Sequence, residues 1–166
     1  EAFFRAGAHS ATTASYQASF EGFAAQGIDR VEAERLMRRS VELARAARGA
    51  ASAPAWVAAS IGPYGAMLAQ GEEYVGRYGL SVAELAAWHR PRLEVLTAAG
   101  PDVLALETIP DSDEAEALVG LVGEEDIPAW LSYTVAGDRT RAGQPLEEAF
   151  AVAADVPQIV AVGVNC

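Results

Sequence analysis

Apolar residues along this chain fall into short unbroken runs, separated by longer stretches in which they recur every three to four positions. The runs are 55–61 (AWVAASI), 103–106 (VLAL), 129–135 (AWLSYTV) and 159–164 (IVAVGV). Continuous apolar runs of this length between turn residues predict strands buried on both faces, the type found in parallel sheets. A shorter strand is predicted over 9–14, continuing into the polar string Thr12, Thr13, Ser15, Tyr16 and Gln17. The central run sits in the stretch 102–110 and ends on Glu107, Thr108 and Pro110.

The intervening stretches predict helices. Residues 1–7 read as a helix end closed by Gly7, and 20–28 as a loop or short helix. Asp29 caps a helix over 31–48 whose apolar face is approximated by Val31, Leu36, Met37, Val41, Leu43 and Ala44. Ser81 and Glu84 have capping-box spacing at the head of a helix over 82–99, in which Pro91 predicts a kink or a break. Further helices are predicted over 112–122 and 145–155.

Strands alternating with helices predict an α/β fold with a parallel sheet. Two architectures compete, the (β/α)₈ TIM barrel and the open doubly wound sheet. Neither G-x-G-x-x-G nor G-x-x-x-x-G-K-[ST] occurs, which removes the main support for a nucleotide-binding open sheet. A complete barrel takes about 250 residues. The 166 residues here carry five predicted strands. The expectation is a single domain over 1–166, a partial barrel covering about strands 2 to 6, with the N-terminal and C-terminal strands missing. The chain opens inside a predicted helix at Glu1 and stops directly after an apolar run at Cys166, as a piece cut from a longer protein would.

Charge and composition narrow the function. The net charge of −11 argues against a nucleic-acid groove or an anionic membrane surface. No apolar run approaches the roughly 18 residues of a membrane span, and the first residues lack the pattern of a signal peptide. One cysteine cannot form an internal disulfide, so a reducing, cytoplasmic setting is expected. No pattern speaks to oligomeric state.

Every predicted strand delivers polar groups at its C-terminal end: Thr12, Thr13, Ser15 and Tyr16; Ser60, Gly62 and Tyr64; Glu107 and Thr108; Ser132, Tyr133 and Thr134; Asn165 and Cys166. In a barrel these ends meet at one mouth. Glu107 has the chemistry of a general base, a metal ligand or a partner for an ammonium group, and equally of a carboxylate paired with Arg90 or Arg92. Cys166 has that of a nucleophile, a thiolate metal ligand or a small buried apolar residue. Neither His9 nor His89 has triad or ligand spacing; His89 reads as a surface or packing residue and His9 as structural.

Six blocks carry a resemblance: ATTASYQAS (11–19), AASIGPYGAMLAQGEEYVGRY (58–78), WHRPRLEVL (88–96), DVLALETIP (102–110), PAWLSYT (128–134) and AVGVNC (161–166). Together, and in this order, they resemble the homocysteine S-methyltransferase family, in particular the bacterial and plant enzymes that use S-methylmethionine or S-adenosylmethionine. The resemblance implies a zinc-dependent (β/α)₈ barrel that transfers a methyl group from a sulfonium donor to the thiolate of L-homocysteine, giving methionine. It implies Cys166 as a zinc ligand, Glu107 on the amino group of homocysteine, Tyr16 lining the pocket, and Thr13 and Asn165 as neighbours in the substrate site. It assigns no residue as a catalytic acid or base. The family's Asp-Gly-Gly motif on the first strand and its Gly-Gly-Cys-Cys motif near the last strands do not occur here. One zinc cysteine of three is therefore present, and this chain alone is expected to be inactive. Two other readings are a betaine-type homocysteine methyltransferase relative and a truncated, non-catalytic barrel remnant.

Overall fold

The structure is a computed structural model that describes residues 1–68 and 70–166. Five parallel strands form the main sheet: β1 (Ser10–Thr12), β2 (Trp56–Ile61), β3 (Val103–Ile109), β4 (Ala129–Tyr133) and, after a small hairpin, β7 (Ile159–Val164). They lie side by side in the order in which they occur along the chain. A doubly wound sheet reverses its strand order at a switch point. A sheet that only advances is an arc of a barrel wall, and this settles the choice left open by the sequence.

The crossovers carry α2 (Phe20–Ala25) and α3 (Arg30–Arg48), then α4 (Tyr64–Leu68) and α5 (Val82–Ala98), then α6 (Ser112–Gly123), and finally α7 (Leu146–Ala151); α1 (Ala2–Arg5) precedes β1. The side chains of Asp29 and Asp111 accept the backbone N–H groups of Glu32 and Asp113, and Ser81 with Glu84 completes its capping box. These caps fix where α3, α5 and α6 begin.

Alternation along the strands divides the sheet into two faces. Val57, Ala59 and Ile61, Leu104 and Leu106, and Leu131 and Tyr133 meet Met37, Val41, Leu93, Leu96, Leu118 and Val122 in the main core. On the other face Ala58, Val103 and Ala105 pack with Trp130. That concave face is the interior of the arc. At the N-terminal ends of the strands, Ser10, Trp56, Asp102, Val103, Pro128, Trp130 and Val160 line an apolar groove of about 360 Å³.

Four features differ from the expectations of the pattern. Pro91 does not break α5 in two, because one lost backbone bond is outweighed by a stripe of buried side chains on both sides of it. The buried face of α3 is Ala33, Met37 and Val41, whereas Val31 and Leu43 are exposed; the small Ala33 sets the register of the stripe. The helix expected over 145–155 shortens to Leu146–Ala151, since Ala153 and Ala154 pair with Phe150 and Ala151 in tighter i to i+3 bonds. Val135–Ala136 (β5) and Arg139–Thr140 (β6) form an antiparallel hairpin around Gly137, whose positive φ of 67° suits a two-residue turn.

Leu118 is fully buried in the main core and Val31 is 79% exposed. Leu118→Ala is expected to cost about 3 kcal/mol in urea denaturation, and Val31→Ala less than about 0.5 kcal/mol.

Candidate functional site

The parallel sheet brings the C-terminal ends of its strands to one rim. Ser60 and Ala105 are register partners, so Ser60 stands diagonally across from Glu107 on the concave face. The Ser60 hydroxyl donates to Glu107 Oε1 at 2.5 Å. Glu107 is half-buried and forms no ion pair among the described residues. Arg90 and Arg92 do not pair with it: Arg90 reaches Glu124 on the surface at 2.7 Å, and Arg92 is turned inward to His89.

The backbone just past Glu107 is strained. Thr108 is buried and has a φ of 63°, an unusual conformation for a β-branched residue. Pairing with β4 shifts register between Leu106 and Ile109 at the same place. Asn165 holds this turn with both ends of its amide: Oδ1 accepts the Thr108 N–H at 3.0 Å, and Nδ2 donates to the Thr108 hydroxyl at 2.8 Å. The same Nδ2 lies 3.5 Å from the Cys166 sulfur. Cys166 is exposed at the end of β7 and its carbonyl accepts from the Thr134 hydroxyl.

From the β1 end, the Thr13 hydroxyl is committed to the framework, 2.6 Å from the Ser15 hydroxyl and 3.0 Å from the Ser60 N–H that it accepts. Tyr16 is half-buried beside them. Burial pushes its phenol up to about 12, opposed by the Thr108 hydroxyl and reinforced by Glu73, Tyr74 and Cys166. Tyr16 is therefore a neutral phenol at ordinary pH, close to the residues that end β3 and β7. Its seat requires Gly62. A Cβ there would lie 2.5 Å from the Tyr16 ring and 2.7 Å from its carbonyl, which accepts the Gly62 N–H at 3.2 Å. Thus Tyr16, Glu107, Asn165 and Cys166 converge on the rim, with Thr13 one layer beneath. Among the described residues no group of three His, Cys, Asp or Glu side chains could hold a metal ion. Cys166 alone offers one sulfur.

Behind the rim lies a polar network that the sequence reading missed. His89, Arg92 and Glu114 are essentially fully buried. His89 Nε2 is 2.8 Å from Glu114 Oε1, and that oxygen also accepts the Tyr64 N–H at 2.5 Å. Arg92 donates to His89 Nδ1, to the carbonyl of Ala18 at 3.2 Å and to the carbonyl of Gly62. Trp88 stacks over the guanidinium, its ring centre 4.6 Å away. His89 is thus a core residue and not a surface one. The signal was available: Leu85, His89, Arg92, Leu93 and Leu96 form a stripe at helical spacing on α5, which put both polar residues on the buried face.

Burial, with the neighbouring Arg92 charge, drives the His89 pKa well below its usual value, so the imidazole is neutral. Since Arg92 donates to Nδ1, the ring proton sits on Nε2 and points at Glu114. Burial pushes Glu114 up to about 8, opposed by the Tyr64 N–H and Arg92 and reinforced by Asp111. Burial lowers Arg92 only to about 10, so it stays charged at neutral pH.

Comparison with known proteins gives a consistent result. The family model described as homocysteine S-methyltransferase matches residues 1–166. The homocysteine S-methyltransferase of Escherichia coli is 47% identical over 172 residues, which cover 99% of this chain and 56% of that protein. Homocysteine S-methyltransferase 4 of Zea mays is 46% identical, over 99% of this chain and 53% of its own length. The crystal structure of the E. coli homocysteine methyltransferase MmuM in its metallated form superposes with a TM-score of 0.93 at 46% identity, covering 99% of this chain and 60% of that one. The chain therefore spans just over half the length of the relatives it matches.

The network has a pH signature. Folded, it holds one proton, on Glu114, up to about pH 8. Unfolded, His89 releases its proton near 6.5 and Glu114 near 4.5. Between pH 4.5 and 6.5 the two states therefore bind equally, whereas from 6.5 to 8 the folded state holds the extra proton. Stability from this network is accordingly lost as pH rises from 6.5 to 8. Chemical denaturation across this range is expected to show the wild type losing on the order of 1–2 kcal/mol relative to Glu114→Gln, which has no proton to release.

Proposed function

This chain belongs to the homocysteine S-methyltransferase family, and from that premise we propose that it forms the homocysteine-binding wall of an enzyme that methylates L-homocysteine to methionine. The observation that carries the reading is Glu107: a half-buried carboxylate on the rim, oriented by Ser60 and lacking an ion partner among the described residues. A buried charge without a partner is costly. The ammonium of an amino acid would satisfy it, with Ser60 occupying Oε1 and leaving Oε2 for the ligand. Tyr16, neutral and half-buried, would wall the pocket, and Asn165 would keep the rim in shape through Thr108.

The methyl donor in this reading is a sulfonium, S-methylmethionine or S-adenosylmethionine. The homocysteine sulfur attacks the methyl carbon, the carbon–sulfonium bond breaks, and its electron pair stays on the donor sulfur as a neutral thioether. The homocysteine thiol proton passes to solvent. A neutral leaving group needs no general acid, consistent with the absence of a histidine at the mouth: His89 is locked in the network and His9 precedes β1.

Zinc, when bound, would supply a deprotonated and oriented substrate thiolate. Cys166 fits one ligand of that ion and no more, because a catalytic zinc takes three protein ligands and an open position. The other two, and the strands that close the barrel, are expected from segments outside this chain. A lone cysteine and thiol chemistry suit a reducing, cytoplasmic setting. Nucleic acid and membrane are not expected partners at a net charge of −11, and no helix among the described residues is long and apolar enough to cross a membrane.

The test is methyl transfer by this chain extended to the length of its relatives. Methionine should form from L-homocysteine and S-methylmethionine or S-adenosylmethionine. Glu107→Gln should raise the KM for homocysteine at least about tenfold, the scale of a charge-assisted hydrogen bond, with little change in the donor KM. Metal analysis should find about one zinc per extended chain and little in Cys166→Ala. No methionine from either donor would refute the reading.

A further inference from the structure

The Arg92–His89–Glu114 network touches no group that the proposed reaction uses, yet it is buried beneath the rim. A buried polar network around one charge contributes little net stability compared with an apolar core of the same volume. The network's partners suggest what it does instead. Arg92, from α5, binds the carbonyl of Ala18 in the segment after β1 and the carbonyl of Gly62 in the turn after β2. Glu114, from α6, binds the N–H of Tyr64 in the same turn. His89 joins the two side chains and transmits no charge, because its neutral ring accepts from Arg92 and donates to Glu114.

Three backbone groups in two rim loops are thereby fixed to two helices by one connected set of side chains. Tyr16 stands between those anchor points. Ala18 lies two residues after it, the Gly62 N–H donates to its carbonyl and leaves room for its ring only without a Cβ, and the Ser15 hydroxyl donates to the carbonyl of Ser60 at 2.7 Å. Ala18 and the Gly62–Tyr64 turn have no other helix-borne side chain holding those three backbone groups among the described hydrogen bonds.

We propose that Arg92, His89 and Glu114 are positioning residues for Tyr16: the network clamps the β1 and β2 loops together and so sets the wall of the homocysteine pocket. The functional half of this statement rests on the proposed homocysteine site; the structural half does not. The network does not move a proton in the reaction. Its three members are sealed from the rim, and its charge is separated by a neutral imidazole whose two nitrogens are both occupied.

The test uses the chain extended to its relatives' length and labelled with fluorotyrosine, the Tyr16 signal being assigned by Tyr16→Phe. Arg92→Met keeps the aliphatic stem and removes the bonds to Ala18 and Gly62; Arg92→Lys keeps the charge but reaches fewer acceptors. Leu118→Ala serves as a control that destabilises the same core without touching the loops. The Tyr16 fluorine signal is expected to move toward that of free fluorotyrosine in Arg92→Met, and part of the way in Arg92→Lys. It should stay in place in Leu118→Ala. The homocysteine KM should rise about tenfold in Arg92→Met, the scale of lost hydrogen-bonded contacts, with kcat changed far less. A Tyr16 signal unmoved in both Arg92 variants, or moved equally by Leu118→Ala, overturns the proposal. If the wild-type extended chain makes no methionine, the homocysteine reading fails, and the fluorine spectra still decide whether the clamp exists.

Discussion

Two hydrogen bonds between Asn165 and Thr108, one donated by each, hold a strained stretch of backbone at the rim. They satisfy the amide and the hydroxyl of a buried threonine at positive φ, immediately after Glu107, the only carboxylate among the described residues of the main-sheet strands. They lie where the pairing of β3 with β4 shifts register, next to the Glu107 side chain. The clamp crosses from β7 to β3 over the intervening β4, which is possible only because parallel strands end at one rim. Strain of this kind costs on the order of 1–3 kcal/mol and persists where the surroundings over-determine it. Here the surroundings are the site itself.

The rim is built in two layers with different electrostatic designs. In the outer layer Tyr16, Glu107, Asn165 and Cys166 remain at least partly accessible, and Glu107 keeps an unpaired carboxylate oxygen. In the inner layer nearly every polar atom is matched. Thr13, Ser15 and Ser60 satisfy one another and the backbone, and Arg92, His89 and Glu114 bind the loops; only Glu114 Oε2 among that triad's buried atoms lacks a partner. A matched layer is rigid and an unmatched one is available to a ligand. The division follows from which residues the helices present. Those on the α5 and α6 stripes are sealed, as are Thr13, Ser15 and Ser60, whereas Tyr16, Glu107, Asn165 and Cys166 reach the opening.

Much of this was legible in the sequence. The unbroken apolar runs gave the strands, and Asp29 and Ser81 gave two helix starts. The strand-end alignment gathered Tyr16, Glu107, Asn165 and Cys166 before any coordinates, because a parallel sheet leaves one place for those ends to go. What was not legible depended on long-range pairing. Glu107 finds Ser60 and not an arginine, since the register of β2 against β3 decides its neighbour. The strain at Thr108 and the role of Asn165 in relieving it arise only when β7 docks. The break offered at Pro91 does not occur, because its local penalty is visible in sequence and the packing that overrides it is not. By type, His89 reads as a surface or packing residue and Arg92 as a candidate partner for Glu107; their spacing with Leu85, Leu93 and Leu96 puts both on the buried face of α5. The short hairpin at Gly137 was missed because its strands have only two residues each, too few for an alternation to register.

The central claim is that Glu107 receives an ammonium group and that the substrate's sulfur lies toward Cys166. The most direct measurement is the position of L-homocysteine bound to the extended chain in a crystal structure, with the sulfur located by its anomalous scattering. The account predicts the amino group within hydrogen-bond distance of Glu107, the side chain of Tyr16 along one wall, and the sulfur at the Cys166 end of the rim. Homocysteine bound with its carboxylate end at Glu107, or with its sulfur away from Cys166, would contradict it.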